Sequence, residues 1–136
     1  MASTAAITNS FKQEMLQGIH LAADVYKVAL YNPGTLDKTT TAYTATGEVG
    51  NSGTYAAGGF TMVGFTVSIS GDTAYIDWTT DPNWTSATIT ASTALIYNSS
   101  RSNKSVAVLT FTSTSSTSGT WTLQLPAAGA SATITL

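Results

Sequence analysis

The chain has 136 residues, a formal net charge of −2, no cysteine and only 9 % charged residues, against about 25 % in an average protein. A domain of this length buries roughly two-thirds of its unfolded surface, enough for a core without staples, and the missing cysteines exclude disulfide frameworks and thiolate metal sites. Five scattered basic residues argue against nucleic acid, which demands clustered Lys and Arg, and no run approaches the roughly 20 apolar residues of a membrane helix.

Threonine, serine and alanine take the place of charge, with 26, 16 and 19 residues. Threonine forms strands and faces water without carrying charge. Two readings follow: a stable β protein with Thr-decorated faces, or a subunit largely covered by neighbours, because interface cores are depleted in charge. Disorder is excluded, since 43 % hydrophobic content with three Trp, six Tyr and four Phe builds a core.

Ala2–Ile7 is small and apolar and reads as a flexible arm or an added edge strand, so residues 1–9 are set apart from a single domain over 10–136. The start lacks the basic residues and long apolar run of a secretory signal, so synthesis in the cytoplasm is expected. Ser10–Gly18 is predicted helical: Ser10 and Gln13 have capping-box spacing, Gly18 suits the C′ position, and Phe11, Met15, Leu16 and Ile19 make an apolar stripe to lie on a sheet. His20, just past the helix, is expected to face solvent or bond a carbonyl.

Asp24–Tyr31 alternates as a strand with one core face and ends at Asn32-Pro33-Gly34. Thr35–Thr54 is a long polar loop with room for a short element at Ala42–Thr46 or Glu48–Val49; loops of this length commonly belong to an interface or binding site. Gly58-Gly59 opens a strand with Val63, Phe65, Val67 and Ile69 on one face. Ser70-Gly71-Asp72 turns it into Thr73–Thr79, whose core face is Ala74, Ile76 and Trp78.

The most continuous apolar runs, Ala87–Tyr97 and Ser105–Phe111, flank the polar turn from Asn98 to Lys104 and are predicted as a central strand pair covered on both faces. Low complexity over Thr112–Gly119 predicts an exposed loop. Thr120–Leu125 resumes a strand with Trp121, Leu123 and Leu125 inward. After a turn at Pro126 and Gly129, Ala132–Leu136 ends the chain inside a strand. Seven or eight strands with regular turns and one short N-terminal helix indicate an all-β fold, an antiparallel β-sandwich or jelly roll.

Little chemistry is visible. A Ser-His-Asp triad would have to recruit the single histidine, His20, with one of Asp24, Asp37, Asp72, Asp77 or Asp81, and no Gly-x-Ser-x-Gly elbow supports it. Asp72, Asp77 and Asp81 offer oxygens for calcium at weak spacing, and Asp in a β-turn is ordinarily a turn former. No cofactor and no enzymatic activity are expected. Trp84, Tyr55, Tyr43 and Tyr97 lie near loops, either as a sugar-stacking platform or as caps on a sandwich core. Arg101 and Lys104 read as a solvated turn or as partners for acidic groups across a subunit contact.

Several segments carry a family resemblance. They are Ile7-Thr8-Asn9-Ser10-Phe11-Lys12-Gln13-Glu14-Met15-Leu16-Gln17-Gly18-Ile19-His20, Tyr26-Lys27-Val28-Ala29-Leu30-Tyr31, Thr40-Thr41-Ala42-Tyr43-Thr44 with Gly47-Glu48-Val49, and Tyr55-Ala56-Ala57-Gly58-Gly59. With Ala87-Thr88-Ile89-Thr90-Ala91 and Ala94-Leu95-Ile96-Tyr97-Asn98, they resemble a family of small structural proteins of tailed bacteriophages, over nearly the whole chain from about Thr4 to Leu136. The resemblance implies a virion component, within that class a capsid decoration (cement) protein on the capsid surface. Its partners would be the major capsid protein and further copies of itself, a trimer ahead of a dimer, since capsid sites sit on symmetry axes. Nucleic acid and membrane are not among the partners expected. Contacts are expected from the arm residues Ala2, Ser3, Thr4, Ala5, Ala6 and Ile7, from Tyr43 and Glu48 in the long loop, and from Arg101 and Lys104 in the turn. The other function class is a tail- or fibre-associated module that binds host carbohydrate through loop aromatics.

Overall fold

The second half of the chain is built on two long strands. In the computed structural model, which describes residues 3–32, 34–129 and 131–135, the elements are β1 (Thr4–Ile7), α1 (Asn9–Leu16), β2 (Tyr26–Tyr31), β3 (Phe60–Thr61), β4 (Phe65–Ser70), β5 (Thr73–Trp78), β6 (Asn83–Asn98), β7 (Lys104–Thr122) and β8 (Ile134–Thr135). The contact role expected for Ala2, the turn at Pro33 and the strand end at Leu136 fall outside the described residues. Two antiparallel sheets form, in the orders β1-β7-β6-β2-β3 and β4-β5-β8. The fold is therefore an all-β, sandwich-like pair of sheets with one short helix.

β6 and β7 turn about residues 99–103 and pair from Asn98↔Lys104 outward. Their inner half is flanked by β2, through Ala29↔Leu95, and by β1, through Ile7↔Ala107. Val28, Leu30, Ile96, Val106 and Leu109 enter the main core, whereas Ala29, Tyr31, Leu95, Tyr97 and Val108 form a second cluster on the opposite face. β2 thus buries both faces rather than one. The residue-35–54 loop makes the difference, because its Leu36 and Tyr43 pack over that second cluster. Each fully buried large aliphatic side chain contributes about 1.5–3 kcal/mol.

The expected loop over residues 112–119 is instead an uninterrupted part of β7. It pairs with the outer half of β6 through Ala91↔Thr114, Thr90↔Ser115 and Ile89↔Ser116. Its polarity masked its period because the apolar side chains of this ribbon, Trp84, Ala87, Ile89 and Ala91, come from β6. Register shifts accompany Ser86 and Ser118, which sit at φ 50° and 46°, as bulges in a long twisted ribbon require. Trp84 and Trp121 face each other across the pair, ring centroids 5.8 Å apart.

α1 starts one residue before Ser10, with Thr8 in the N-cap position and no side-chain cap. The capping box does not form because tertiary contacts take the hydroxyls: Thr8 Oγ1 donates to Val106 O, and Ser10 Oγ pairs with Ser105 Oγ at 3.2 Å. At its other end Gly18 (φ 72°) donates to Met15 O and Ile19 N–H to Glu14 O, the Schellman pattern. Phe11 is buried, but Leu16 is 91 % exposed: it lies roughly 140° round a 3.6-residue helix from Phe11. The expected β4–β5 hairpin forms, paired from Ser70↔Thr73 to Phe65↔Trp78. Ile76 and Trp78 are buried, yet Val63, Val67 and Ile69 stay largely exposed. Among the described residues no helix is long and apolar enough to cross a membrane.

Candidate functional site

At the turn end of the β6–β7 hairpin, charged and polar groups from three chain segments interlock. Asp24, just ahead of β2, accepts from Arg101 Nε at 2.9 Å and Nη2 at 3.0 Å, a bidentate fork. Arg101 therefore holds the Asp24 carboxyl down to about 2 from an ordinary 3.8, with Asn98 adding a further hydrogen bond. Lys104 Nζ lies 3.1 Å from Glu14 Oε2 on α1.

His20 sits between these pairs with its side chain wholly buried, so the expectation of a solvent-facing ring is corrected. Asn98 fixes its tautomer. The Asn98 amide oxygen accepts from Ser100 N–H, and its NH2 group donates to Asp24 Oδ2 (2.8 Å) and to His20 Nδ1 (3.1 Å). Nδ1 is then an acceptor, and Nε2–H donates to Glu14 Oε1 at 3.0 Å. Both ring nitrogens are occupied by non-serine partners, so the triad considered for His20 does not assemble. The chemistry available is that of a clasp joining α1, the approach to β2 and the 99–103 turn.

A second node surrounds Glu48. Tyr43 O–H donates to its Oε2 at 2.6 Å, while Tyr55 O–H and Gly58 N–H donate to Oε1 at 3.0 and 2.7 Å. Tyr97 stacks on Tyr43, centroids 4.8 Å apart, and donates to Gly58 O. Burial, followed by the Glu48 charge, pushes the phenols of Tyr43 and Tyr97 up to about 12 and raises that of Tyr55 as well. Trp84, Tyr55 and Tyr97 are buried in the core or the second cluster. The sugar-platform reading thus loses its exposed aromatics, and these rings act as packing.

The expected contact elements converge only in part. The long loop meets the turn, since Tyr43 N–H donates to Asn103 O and Ser105 N–H to Thr41 O. The end of the N-terminal segment arrives there too, through Asn9 N–H to Lys38 O. Tyr43, Glu48, Arg101 and Lys104 are thereby engaged in internal hydrogen bonds or ion pairs. Thr4, Ala5, Ala6 and Ile7 form the edge strand β1, with Ala5 and Ile7 against the core, and Ser3 Oγ donates to Gln124 O at 2.7 Å. Asp72, Asp77 and Asp81 do not gather: among the described residues no three His, Cys, Asp or Glu side chains come together. Asp81 caps Leu125 N–H, and Asp77 is buried, its carboxyl raised by that burial.

Sequence reasoning missed Glu14 and Asn98 as partners of His20: Asn98 lies 78 residues from the ring, and no local pattern links either residue to it. It also missed the outer ribbon of β6 and β7 as a surface. The available signal was an absence: no Asp, Glu, Lys or Arg occurs over residues 82–100 or 105–136. Around that ribbon Thr88, Thr90, Ser113, Ser115, Thr117 and Thr120 are exposed. No family model, no curated protein and no solved structure matches this chain.

Proposed function

We propose that this chain is a virion structural protein, a capsid decoration protein that binds the outer shell of a tailed-phage head non-covalently. Its partners in this reading are the major capsid protein and further copies of itself. The observation that carries it is the charge-free outer ribbon of β6 and β7. A surface that stays in water normally carries charge, whereas one covered by neighbours sheds it, because desolvating an unpaired charge is costly. Elsewhere Asp24, Glu14, Arg101 and Lys104 are spent in internal pairs. A two-sheet body that holds such a ribbon rigid suits a clamp across subunit seams, and the bacteriophage resemblance names the shell as the covering partner. The reading includes no catalytic step and no cofactor.

Rebinding to undecorated heads tests it. The wild-type chain should saturate at a stoichiometry set by the lattice. Ser113→Lys/Thr117→Lys, and separately Ser113→Glu/Thr117→Glu, should bind at least tenfold more weakly with unchanged thermal unfolding. No binding by the wild type overturns the reading, and undiminished binding by both double variants removes the ribbon as the contact.

A further inference from the structure

β4 is an edge strand with none of the features that keep edges apart. It runs six residues in unbroken register with β5, contains no Lys, Pro or bulge, and is exposed over Thr66 to Ser70. The other outer strands of the two sheets, β1, β3 and β8, have four, two and two residues.

The register shows which backbone groups are free. Thr79 N–H donates to Gly64 O at 3.2 Å, so Gly64 and Thr79 are a hydrogen-bonded pair. Antiparallel alternation then directs Thr66, Ser68 and Ser70 toward β5 and leaves the N–H and C=O of Phe65, Val67 and Ile69 pointing outward. The side chains of these three share a face with Ile76 and Trp78, their neighbours across the pair. That face is apolar, yet Val67 is 64 % and Ile69 71 % exposed. Beside it opens a cavity of about 140 Å³ lined by Met15, Ala22, Tyr26, Phe65, Val67 and Ile76, among others.

We infer that the occupant of this edge is a second copy of the chain, joined by antiparallel β4–β4′ pairing about a two-fold axis through Val67. Pairing Val67 with Val67′ sets Phe65 opposite Ile69′, so every outward N–H and C=O of the strand finds a partner. Ile69′ comes to lie beside Phe65 on the inner face, where directly opposite side chains touch, and it closes the open flank of the cavity. The two sheets become one six-stranded sheet, β8-β5-β4-β4′-β5′-β8′. Electrostatics permits this: residues 63–70 carry no charge, and Asp72 falls beyond the paired strand, opposite uncharged Met62′. Contacts below about 1,200 Å² in total are the weak, transient end of specific association, and this pairing uses one six-residue strand per copy. The dimer is therefore weak and concentration-dependent. Of the two symmetries expected for self-association, this contact yields the dimer.

The inference rests on the self-association within the proposed capsid reading but is tested in solution without capsids, so its failure leaves shell binding standing. Sedimentation velocity from about 1 µM to 1 mM, the range of weak association, should show a monomer–dimer equilibrium. Val67→Lys and Ile69→Lys, both at exposed positions, should each weaken it at least tenfold with unchanged circular dichroism and melting. In this cysteine-free chain, Val67→Cys should give a disulfide-linked dimer on mild oxidation, while Thr117→Cys on the ribbon should not. A strictly monomeric chain, or self-association untouched by both Lys variants, overturns the inference. So does a Val67→Cys chain that cross-links no faster than the Thr117→Cys control.

Discussion

At the scale of single residues, the interlocked groups around His20 make acid stability predictable. The Asp24 carboxyl titrates near 2 in the folded protein because Arg101 binds it, against an ordinary 3.8. A carboxylate whose folded value is depressed contributes stability that is complete above the ordinary value and is lost as pH falls through the folded one. The Asp24 contribution should therefore drain between about pH 4 and pH 2. Asp24→Asn removes the charge while leaving a hydrogen-bonding group of the same shape. We expect it to cost about 1 kcal/mol at neutral pH, the usual scale for such a pair, and to flatten the acid limb of the stability profile. Urea midpoints measured from pH 7 to pH 2 check this; parallel profiles for the two chains would refute the Asp24 account. None of the clasp was legible in advance: the pairing of β2 with β6 brings Asn98 to Asp24 and His20, and the turn after α1 folds His20 back onto Glu14.

At the scale of elements, local signals succeeded where the code is local and failed where packing decides. Ser70-Gly71-Asp72 between two alternating runs led to the right hairpin, since turn residues and a period of two act within a few positions. The polar turn between Ala87–Tyr97 and Ser105–Phe111 was equally readable. The Ser/Thr stretch of β7 was not, because its apolar partners are supplied by β6, and the second covered face of β2 was not, because its cover comes from a loop. The helix shows both outcomes. Its Ser10 cap was lost to contacts with β7, while Gly18 was correctly placed past its end. Gly18 has a positive φ of 72° and open space where a Cβ would stand, so Gly18→Ala incurs only backbone strain. We expect a loss of about 1 kcal/mol, the cost of a left-handed residue other than glycine, visible as a lower melting temperature. A loss of several kcal/mol would indicate a packing role that the structure lacks.

At the scale of the whole molecule, the first and last described strands, β1 and β8, are built into sheet edges rather than hung from a finished body. β1 pairs with β7 across about a hundred residues, as in Thr4↔Thr110 and Ile7↔Ala107, and β8 pairs with β5 through Ile76↔Ile134. The backbone of Val106, Val108 and Thr110 would otherwise face water as an unprotected edge of a long apolar strand, the arrangement that invites aggregation. Shortening the chain therefore separates two roles for its start. If residues 2–7 were only a strap for a partner, their deletion would leave folding untouched and weaken shell binding alone. Because Thr4–Ile7 pair with β7 and Ala5 and Ile7 lie against the core, removal of the segment should take away several backbone hydrogen bonds, each worth about 1 kcal/mol net, together with the burial of two apolar side chains. The expected result is a clear fall in the urea midpoint, accompanied by association of the truncated chain through the uncovered β7. Adding Lys to that new edge, as Val108→Lys, would bury a charge in the second cluster, so the cleaner companion is Thr110→Lys, which sits at an exposed position. Thr110→Lys in the truncated chain should suppress the association without restoring the midpoint. An unchanged midpoint in the truncated chain would return residues 2–7 to the role of a free arm.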